Sequence, residues 1–202
     1  MAEDLVHVID DDPAVRDSLS FLLETADLRS RTYESAVAFL EALPEVKGGC
    51  VVTDVRMPEM TGIELVRRLK AQGFALPIVM ITGHADVPLA VEAMKAGVAD
   101  FIEKPFDDEA LLSAIRTALA DGEKDRQGAA EAAEIATRLA SLSGREREVL
   151  EGLVAGHANK VIAYDLGISP RTIEIYRANV MTKMKAASLS ELVRMAMRAE
   201  RA

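Results

Sequence analysis

Short apolar runs alternate with longer amphipathic stretches over residues 1–120, and this alternation is the strongest constraint on the fold. The apolar runs lie at Leu5–Ile9, Cys50–Thr53, Pro77–Thr82 and Val98–Ile102, with a weaker one near Ser30–Tyr33. The amphipathic stretches lie near 13–26, 35–43, 60–72, 85–96 and 107–120. Apolar strands that alternate with helices indicate a parallel sheet covered on both faces. We therefore predict an α/β domain with a doubly wound, five-stranded parallel sheet of order 2-1-3-4-5.

The remainder of the chain changes character twice. Residues 121–138 are polar and rich in Ala and Glu, which predicts a partly helical linker. Residues 139–202 carry helix start signals, namely capping boxes at Ser143–Glu146 and Ser188–Glu191 and a cap-proline pair at Ser169-Pro170. These signals predict a small all-α domain of four helices, near 143–155, 159–166, 170–184 and 189–199.

Charge is divided unevenly between these parts. The chain of 202 residues has a net charge of −9, of which residues 1–120 carry −10 and residues 141–202 carry +3. A basic part in an acidic chain is typical of a nucleic-acid-binding domain, although ordinary scatter of charge explains it as well. A single cysteine excludes an intrachain disulfide, and no uncharged run is long enough to span a bilayer. We expect a soluble cytoplasmic protein with no membrane partner.

Polar side chains stand where the predicted strands end. They are Asp10, Asp11 and Asp12 after the first strand, Asp54 and Thr82 at the ends of the third and fourth, and Lys104-Pro105 after the fifth. The carboxyl ends of the strands in such a sheet meet at one edge, so these groups should lie together. Clustered carboxylates repel one another unless a cation joins them, and their oxygens suit Mg²⁺. A carboxylate there could attack phosphorus and form an aspartyl phosphate.

Each of these residues also has an ordinary structural explanation. The aspartate run could cap a helix N-terminus, where negative charge is favoured. Asp54 could be a turn residue, and Lys104-Pro105 could belong to a surface loop. The ordered occurrence of all of them at strand ends favours a phosphoacceptor pocket.

The C-terminal helices have helix-turn-helix spacing, with a turn at residues 167–169. On a helical wheel, Ile173, Val180 and Met184 form a core face of the second helix. The opposite face suits a DNA major groove and carries Arg171, Glu174, Ile175, Ala178 and Thr182. Candidates for phosphate contacts are Thr172, Arg177, Lys183 and, on the preceding helix, Lys160. The wheel alone fits the polar outer face of a small helical bundle as well.

Four ordered motifs make residues 1–120 resemble a two-component receiver domain. They are VIDDDP at Val8–Pro13, DVRMPEMTG at Asp54–Gly62, MITG at Met80–Gly83 and DFIEKPF at Asp100–Phe106. The resemblance implies that a partner sensor histidine kinase phosphorylates Asp54. It implies a Mg²⁺ site formed by Asp10, Asp11, Asp54 and the backbone carbonyl of Arg56. It further implies phosphoryl contacts from Thr82 and Lys104, a switch aromatic at Phe101 and a cis peptide before Pro105. Asp12 lies outside the family's acidic pair, and we assign it to helix capping.

Residues 139–199 resemble the LuxR-type DNA-binding domain. The motifs are LSGREREVL at Leu142–Leu150, GHANKVIAYDLGIS at Gly156–Ser169 and RTIEIYRANVMTKM at Arg171–Met184. The resemblance implies base contacts from Glu174, Ile175 and Ala178, in agreement with the wheel. Glu174 stands where the family often has a basic residue, so the recognised DNA sequence is not implied. Together the two domains resemble the NarL/FixJ class of response regulators, and their motifs look closest to its nitrogen-fixation activators.

This class implies a phosphorylation-switched transcription activator, expected at nitrogen-fixation promoters. The implied partners are promoter DNA, RNA polymerase, a FixL-like kinase and, once phosphorylated, a second copy of the chain. The expected dimer face comprises Val91, Lys95 and Phe101, although a polar solvent-facing surface explains these positions equally well.

Three alternatives stay open at this stage. The same architecture could control another pathway. The receiver could block the DNA-binding domain until it is phosphorylated, which the opposed charges of the two parts permit. A phosphohydrolase with an aspartyl-phosphate intermediate is disfavoured, because Arg56 stands where haloacid-dehalogenase-type enzymes carry a second aspartate. We expect no enzymatic activity beyond self-phosphorylation from small donors and slow autodephosphorylation.

Overall fold

The chain divides into two compact units, Met1–Asp125 and Arg126–Ala202. The structure, a computed structural model, describes residues 5–83 and 87–199. The division between the units lies inside the segment 121–138 that was predicted as a linker. The start of the helix predicted near 85–96 and the outer ends of both predicted domains lie outside the described residues.

The first unit contains a five-stranded parallel sheet, and the predicted strand order is confirmed. Its strands are β1 (Leu5–Ile9), β2 (Arg29–Tyr33), β3 (Cys50–Asp54), β4 (Ile78–Thr82) and β5 (Asp100–Glu103). They lie in the order β2-β1-β3-β4-β5, and every neighbouring pair is parallel. This arrangement brings the ends of β1, β3, β4 and β5 to one edge of the sheet.

Helices cover both faces of the sheet. They are α1 (Pro13–Thr25), α2 (Ala36–Ala42), α3 (Gly62–Ala71), α4 (Val87–Ala96) and α5 (Asp108–Ala140), with a short 3-10 turn at Leu43–Glu45. Successive strand residues point to opposite faces: Val52 packs in the core under α1 and α5, whereas Val51 packs in the core under α2, α3 and α4. The inner strands β1, β3 and β4 are therefore mainly apolar, as strands buried on both faces require, whereas the edge strand β2 is polar and largely exposed.

Helix α5 is longer than the sequence predicted. It runs through the segment predicted as a partly helical linker and ends at Ala140, a length of 33 residues. The segment is rich in strong helix formers and contains no proline, and its two glycines do not interrupt the helix. Among the described residues, no helix combines the length and the apolar character needed to cross a bilayer.

The second unit is helical, and the four predicted helices are confirmed. They are α6 (Gly144–Val154), α7 (Asn159–Leu166), α8 (Pro170–Met184) and α9 (Leu189–Ala199). Their core side chains include Val149, Ile162, Ile173 and Leu192, and Ile135 from the end of α5 is buried with them. The last turns of α5 thus complete this core.

Side-chain caps mark the starts of α6, α8 and α9, whereas α7 begins after Ala158 without one. Ser143 and Glu146 form the predicted capping box of α6, and Ser169 caps α8 immediately before Pro170. The predicted second box is only half formed: the Ser188 hydroxyl accepts from the Glu191 amide at 3.2 Å, but Glu191 Oε2 accepts from the Ala187 amide. The glutamate satisfies the amide one position earlier than the box requires.

Two glycines in α6 should respond in opposite directions to a methyl group. A Cβ on Gly152 would lie 2.8 Å from Ile162 Cγ1, whereas a Cβ on Gly144 would meet nothing within 4 Å. We expect Gly152→Ala to lower the free energy of unfolding of the second unit by about 1–3 kcal/mol through overpacking. We expect Gly144→Ala to raise it by about 0.5 kcal/mol through reduced chain entropy. Native-state hydrogen exchange of α6 amides measures both, and equal effects would contradict the close approach of α7.

Candidate functional site

The ends of four strands build an acidic pocket at one edge of the sheet. Asp10 follows β1 directly, Asp54 ends β3, Thr82 ends β4 and Lys104 follows β5. The strand register places Asp54 opposite Ile81 and Thr82 opposite Glu103, so these ends are level. The predicted convergence of Asp10, Asp54 and Lys104 is confirmed by their contacts.

Lys104 joins the two carboxylates of the pocket. Its Nζ lies 2.9 Å from Asp54 Oδ1 and 3.2 Å from Asp10 Oδ2. The side chains of Asp10, Asp54 and Lys104 are 4%, 12% and 26% exposed. Two carboxylates this close would repel each other without a shared cation. In this structure the lysine ammonium holds them together.

Backbone amides take the remaining carboxylate oxygens. The Arg56 amide donates to Asp54 Oδ2 at 2.6 Å, and the Asp12 amide donates to Asp10 Oδ1 at 2.9 Å. Asp12 itself accepts from the Ala14 amide at 2.9 Å, which confirms its predicted role as the cap of α1. These bonds fix the carboxylates before any ligand arrives, because each oxygen is already oriented.

Burial and charge act in opposite directions on the pocket's ionisable groups. Burial raises the pKa of Asp10, and the Asp12 amide and the Lys104 ammonium oppose that shift without cancelling it. Burial lowers the pKa of Lys104, but the carboxylates of Asp54 and Asp10 raise it by more, so that the net shift is upward. The lysine is therefore firmly charged at neutral pH.

The donor set of the pocket fits a hard divalent cation. Every candidate ligand offers oxygen: the carboxylates of Asp10, Asp11 and Asp54 and the backbone carbonyl of Arg56. Asp11 is exposed, whereas Asp10 is buried. In residues 5–83 and 87–199, no three acidic, histidine or cysteine side chains are already arranged around a single ion position. The chemistry suits Mg²⁺, and Asp11 is the carboxylate with freedom to turn towards it.

The other residues implied by the receiver resemblance lie around this edge. The peptide bond between Lys104 and Pro105 is cis, as the resemblance implies. Thr82 is buried, and Phe101 is half-buried against the core under α3 and α4. Val91 is exposed on α4, as is Lys95 one turn further along. Phe101 thus differs from the other two expected dimer-face residues in packing partly against the receiver core.

Two supporting residues were missed by the sequence analysis. Arg16 Nη1 donates to the Asp10 backbone carbonyl at 2.7 Å and ties α1 to the pocket. A Cβ on Gly62 would lie 2.3 Å from the Asp54 backbone carbonyl oxygen. Gly62 closes the motif that begins at Asp54, and this position within the motif was the available signal.

The outer face of α8 agrees with the helical wheel. The core residues Ile173, Val180 and Met184 are fully buried, as predicted. The residues predicted to face DNA are all exposed; they are Arg171, Glu174, Ile175, Ala178 and Thr182. Lys160 is exposed at the start of α7, and the flanking residues Thr172 and Arg177 are half-buried.

Lys183, the remaining candidate for a phosphate contact, is exposed and also has partners within its own unit. Its Nζ lies 2.6 Å from Glu146 Oε2 and 3.3 Å from the Ser141 carbonyl oxygen. The Glu146 side chain is 5% exposed, and the bond from Lys183 is the main cause of its lowered pKa. Removal of the lysine would leave a buried carboxylate with an unpaired charge, so Lys183 also stabilises the domain, although its own side chain is 40% exposed.

A methyl group at Gly62 should disturb the pocket through the backbone. Because the obstructing atom is the carbonyl oxygen of Asp54, relief of the clash must move the end of β3. We expect Gly62→Ala to lower the free energy of unfolding of the first unit by about 1–3 kcal/mol. Gly83→Ala at the same edge is the control, since a Cβ there meets nothing within 4 Å. Urea denaturation compares them, and equal stability of the two variants would contradict this packing.

Comparison with known proteins identifies a family for each unit. Residues 6–116 match the response regulator receiver domain family, and residues 140–196 match the family of bacterial regulatory proteins, luxR family. The transcriptional regulatory protein FixJ of Azorhizobium caulinodans is 61% identical over 194 residues, which cover 95% of this chain and 91% of that protein. FixJ of Rhizobium meliloti is 52% identical over 98% of this chain and 97% of its own length.

Solved structures agree with these matches. Full-length FixJ from B. japonicum is similar with a TM-score of 0.62 and 57% identity, over 100% of both chains. The response regulator StyR is similar with a TM-score of 0.89 and 41% identity, over 98% of this chain and 100% of that chain. The similarity therefore covers both units and not the receiver alone.

Proposed function

Because the chain belongs to the FixJ-like two-component response regulators with a LuxR-type DNA-binding domain, we propose that phosphorylation of Asp54 switches its activity as a transcription activator. One observation carries the proposal: Asp54 and Asp10 share the Lys104 ammonium at the ends of parallel strands. A partly exposed carboxylate held beside a fixed cation is poised to attack phosphorus, and the cation can neutralise charge on the transferred group.

The residues of the pocket have distinct roles in the proposed transfer. An oxygen of Asp54 attacks the phosphorus of a phosphohistidine on the kinase; a P–O bond forms, and the P–N bond breaks with the electron pair leaving on the imidazole. Lys104, already bonded to Asp54 Oδ1, pairs with a phosphoryl oxygen, and Thr82 donates a hydrogen bond to another. Asp10, Asp11, Asp54 and the Arg56 carbonyl would hold Mg²⁺, which neutralises charge on the phosphoryl oxygens when bound.

The phosphoryl group should then act on the surface of the receiver. Thr82 ends β4 next to β5, where Phe101 packs partly against the core. Movement of the threonine towards the phosphoryl group would let Phe101 repack and would favour a dimer through the face of Val91, Lys95 and Phe101. Two α8 helices would then reach DNA half-sites about one helical turn, or 34–36 Å, apart.

The partners follow from the same proposal. They are a FixL-like sensor kinase, promoter DNA, RNA polymerase and a second copy of the chain. The FixJ relatives, at 52–61% identity, favour nitrogen-fixation promoters as targets. The chain itself would have no separate substrate, because Arg56 occupies the position at which an aspartyl-phosphate hydrolase needs its second aspartate.

Asp54→Asn should abolish the switch without disturbing the fold. After incubation with acetyl phosphate and Mg²⁺, the wild-type chain should gain one phosphoryl group and sediment as a dimer. The variant should gain none and stay monomeric, since an amide oxygen is a poor nucleophile. Intact mass and sedimentation velocity give both readouts. A variant that still dimerises when the phosphodonor is added would contradict the proposal.

Two exposed positions should separate positioning from base recognition. Lys160→Ala should weaken binding to all DNA sequences alike and reduce the salt slope by about 1. Glu174→Ala should cost about 1–3 kcal/mol at the preferred sequence and relax the preference at one base position. Binding is measured on duplexes enriched from a random pool by the phosphorylated wild-type chain. A uniform effect of Glu174→Ala across sequences would exclude it from base contacts.

A further inference from the structure

The C-terminal end of α8 is held by a residue that lies outside the LuxR-family match. Arg138 Nη1 donates to the Met184 carbonyl oxygen at 3.0 Å, and Met184 is the last residue of α8. The family match begins only at residue 140. Both residues belong to the second unit, in which the last turns of α5 are packed. The end of the helix expected to read DNA is thus bound by a side chain from α5.

Packing alone does not explain an arginine at this position. The Arg138 side chain is 18% exposed, and its Nη2 pairs with Glu134 one turn earlier. Its Nε is buried and has no hydrogen-bond partner among the described residues. An apolar side chain of similar length would fill the space without leaving a buried donor unsatisfied. The guanidinium therefore acts through its hydrogen bonds and not through the space that it fills, and one of these hydrogen bonds is made to α8.

A second contact holds the same turn of α8. Lys183 Nζ bonds Glu146 at the start of α6 and the Ser141 carbonyl oxygen in the turn before it. Two consecutive residues of α8, Lys183 and Met184, are thus bound to the segment 138–146. We call these contacts the clasp. A cation at the Met184 carbonyl also complements the negative end of the helix dipole.

We propose that Arg138 is a positioning residue for DNA recognition, which acts by fixing the end of α8. The exposed face with Glu174, Ile175 and Ala178 can read base edges only if the helix keeps one rotation and one angle in the groove. Base contacts require placement to within about 0.5 Å, whereas contacts to phosphates tolerate more freedom. This proposal rests on the proposed DNA-binding function and adds a residue from α5 to it.

The proposed positioning role predicts a different effect on DNA affinity from the effect that a purely structural role predicts. Partial unfolding would lower the affinity for every duplex by the same factor, and loss of one positive charge would weaken phosphate attraction for every duplex. A loosened α8 would lower the affinity for the preferred sequence alone. The informative quantity is therefore the ratio of affinities for a preferred and a scrambled duplex.

The experiment uses the full chain, phosphorylated with acetyl phosphate. A preferred duplex is enriched by the wild-type chain from a random-sequence pool, and the same duplex scrambled is the reference. The variants are Arg138→Met, Arg138→Lys and Arg145→Met. Arg145 is the matched control, because it is a half-exposed arginine of the same unit and pairs with Glu148 on α6 rather than with α8.

We expect Arg138→Met to lower the affinity ratio about tenfold, the effect of one charge-assisted hydrogen bond, and Arg145→Met to leave it unchanged to within about twofold. Arg138→Lys should recover most of the ratio, because an ammonium can still donate to the Met184 carbonyl. Hydrogen exchange of the amides in the last turn of α8 should accelerate in Arg138→Met only. If Arg138→Met does not fold, Arg138→Gln replaces it, since its shorter side chain cannot reach Met184.

The outcomes separate the two proposals. A ratio in Arg138→Met equal to that in Arg145→Met overturns the positioning role and leaves the DNA-binding function standing. A lowered ratio in both variants overturns it as well, since the effect would then follow charge and not the clasp. A wild-type chain that enriches no sequence overturns the DNA-binding function and the positioning role together.

Discussion

The shared ammonium of Lys104 is the interaction on which the pocket depends. Parallel strands bring Asp10 and Asp54 to one edge of the sheet, where burial and mutual repulsion would otherwise favour protonation of one of them. The lysine opposes both effects, without cancelling the upward shift of the Asp10 pKa, and places one positive charge between the two acids. The arrangement retains a surplus of negative charge, to which exposed Asp11 adds. A divalent cation is what such a site accommodates best.

Most of the receiver fold could be predicted because its sequence signals are local. Apolar runs give the strands, and the parallel order follows from their alternation with helices. The convergence of the acids follows in turn from the parallel order. Arg16 and Gly62 were missed because their roles depend on the backbone carbonyls of Asp10 and Asp54, which the pattern of apolar and polar side chains does not report. The length of α5 was also not predicted, because the middle of this helix is polar on most sides. It belongs neither to the core under α1 and α5 nor to the core of the second unit.

In the DNA-binding unit, too, local features could be predicted from the sequence and tertiary contacts could not. The core stripe of α8 and the caps at Ser143 and Ser169 follow from spacing alone, and the structure has them as predicted. The contacts of Lys183 do not follow from spacing, because a helical wheel gives the direction of a side chain around the helix but does not identify its partner. Its partner, Glu146, belongs to the cap of another helix. Only the tertiary fold brings a buried acid within reach of that lysine.

The two acid–lysine sites differ in their balance of charge, which supports the proposal of a reaction at one and a structural role at the other. Glu146 has one lysine and one capping amide, so its charge is balanced and all but sealed from solvent. In the receiver, two acids share one lysine, and the Asp54 side chain is more exposed than that of Asp10. Because its charges are balanced, the pair of Glu146 and Lys183 serves to hold the end of α8, next to the bond from Arg138. Imbalance leaves the second site with charge still to be neutralised, and a phosphoryl group on Asp54 would redistribute the bonds of Lys104. An acid paired with a lysine thus stabilises the second unit, whereas two acids with one lysine leave the first unit suited to the proposed phosphorylation.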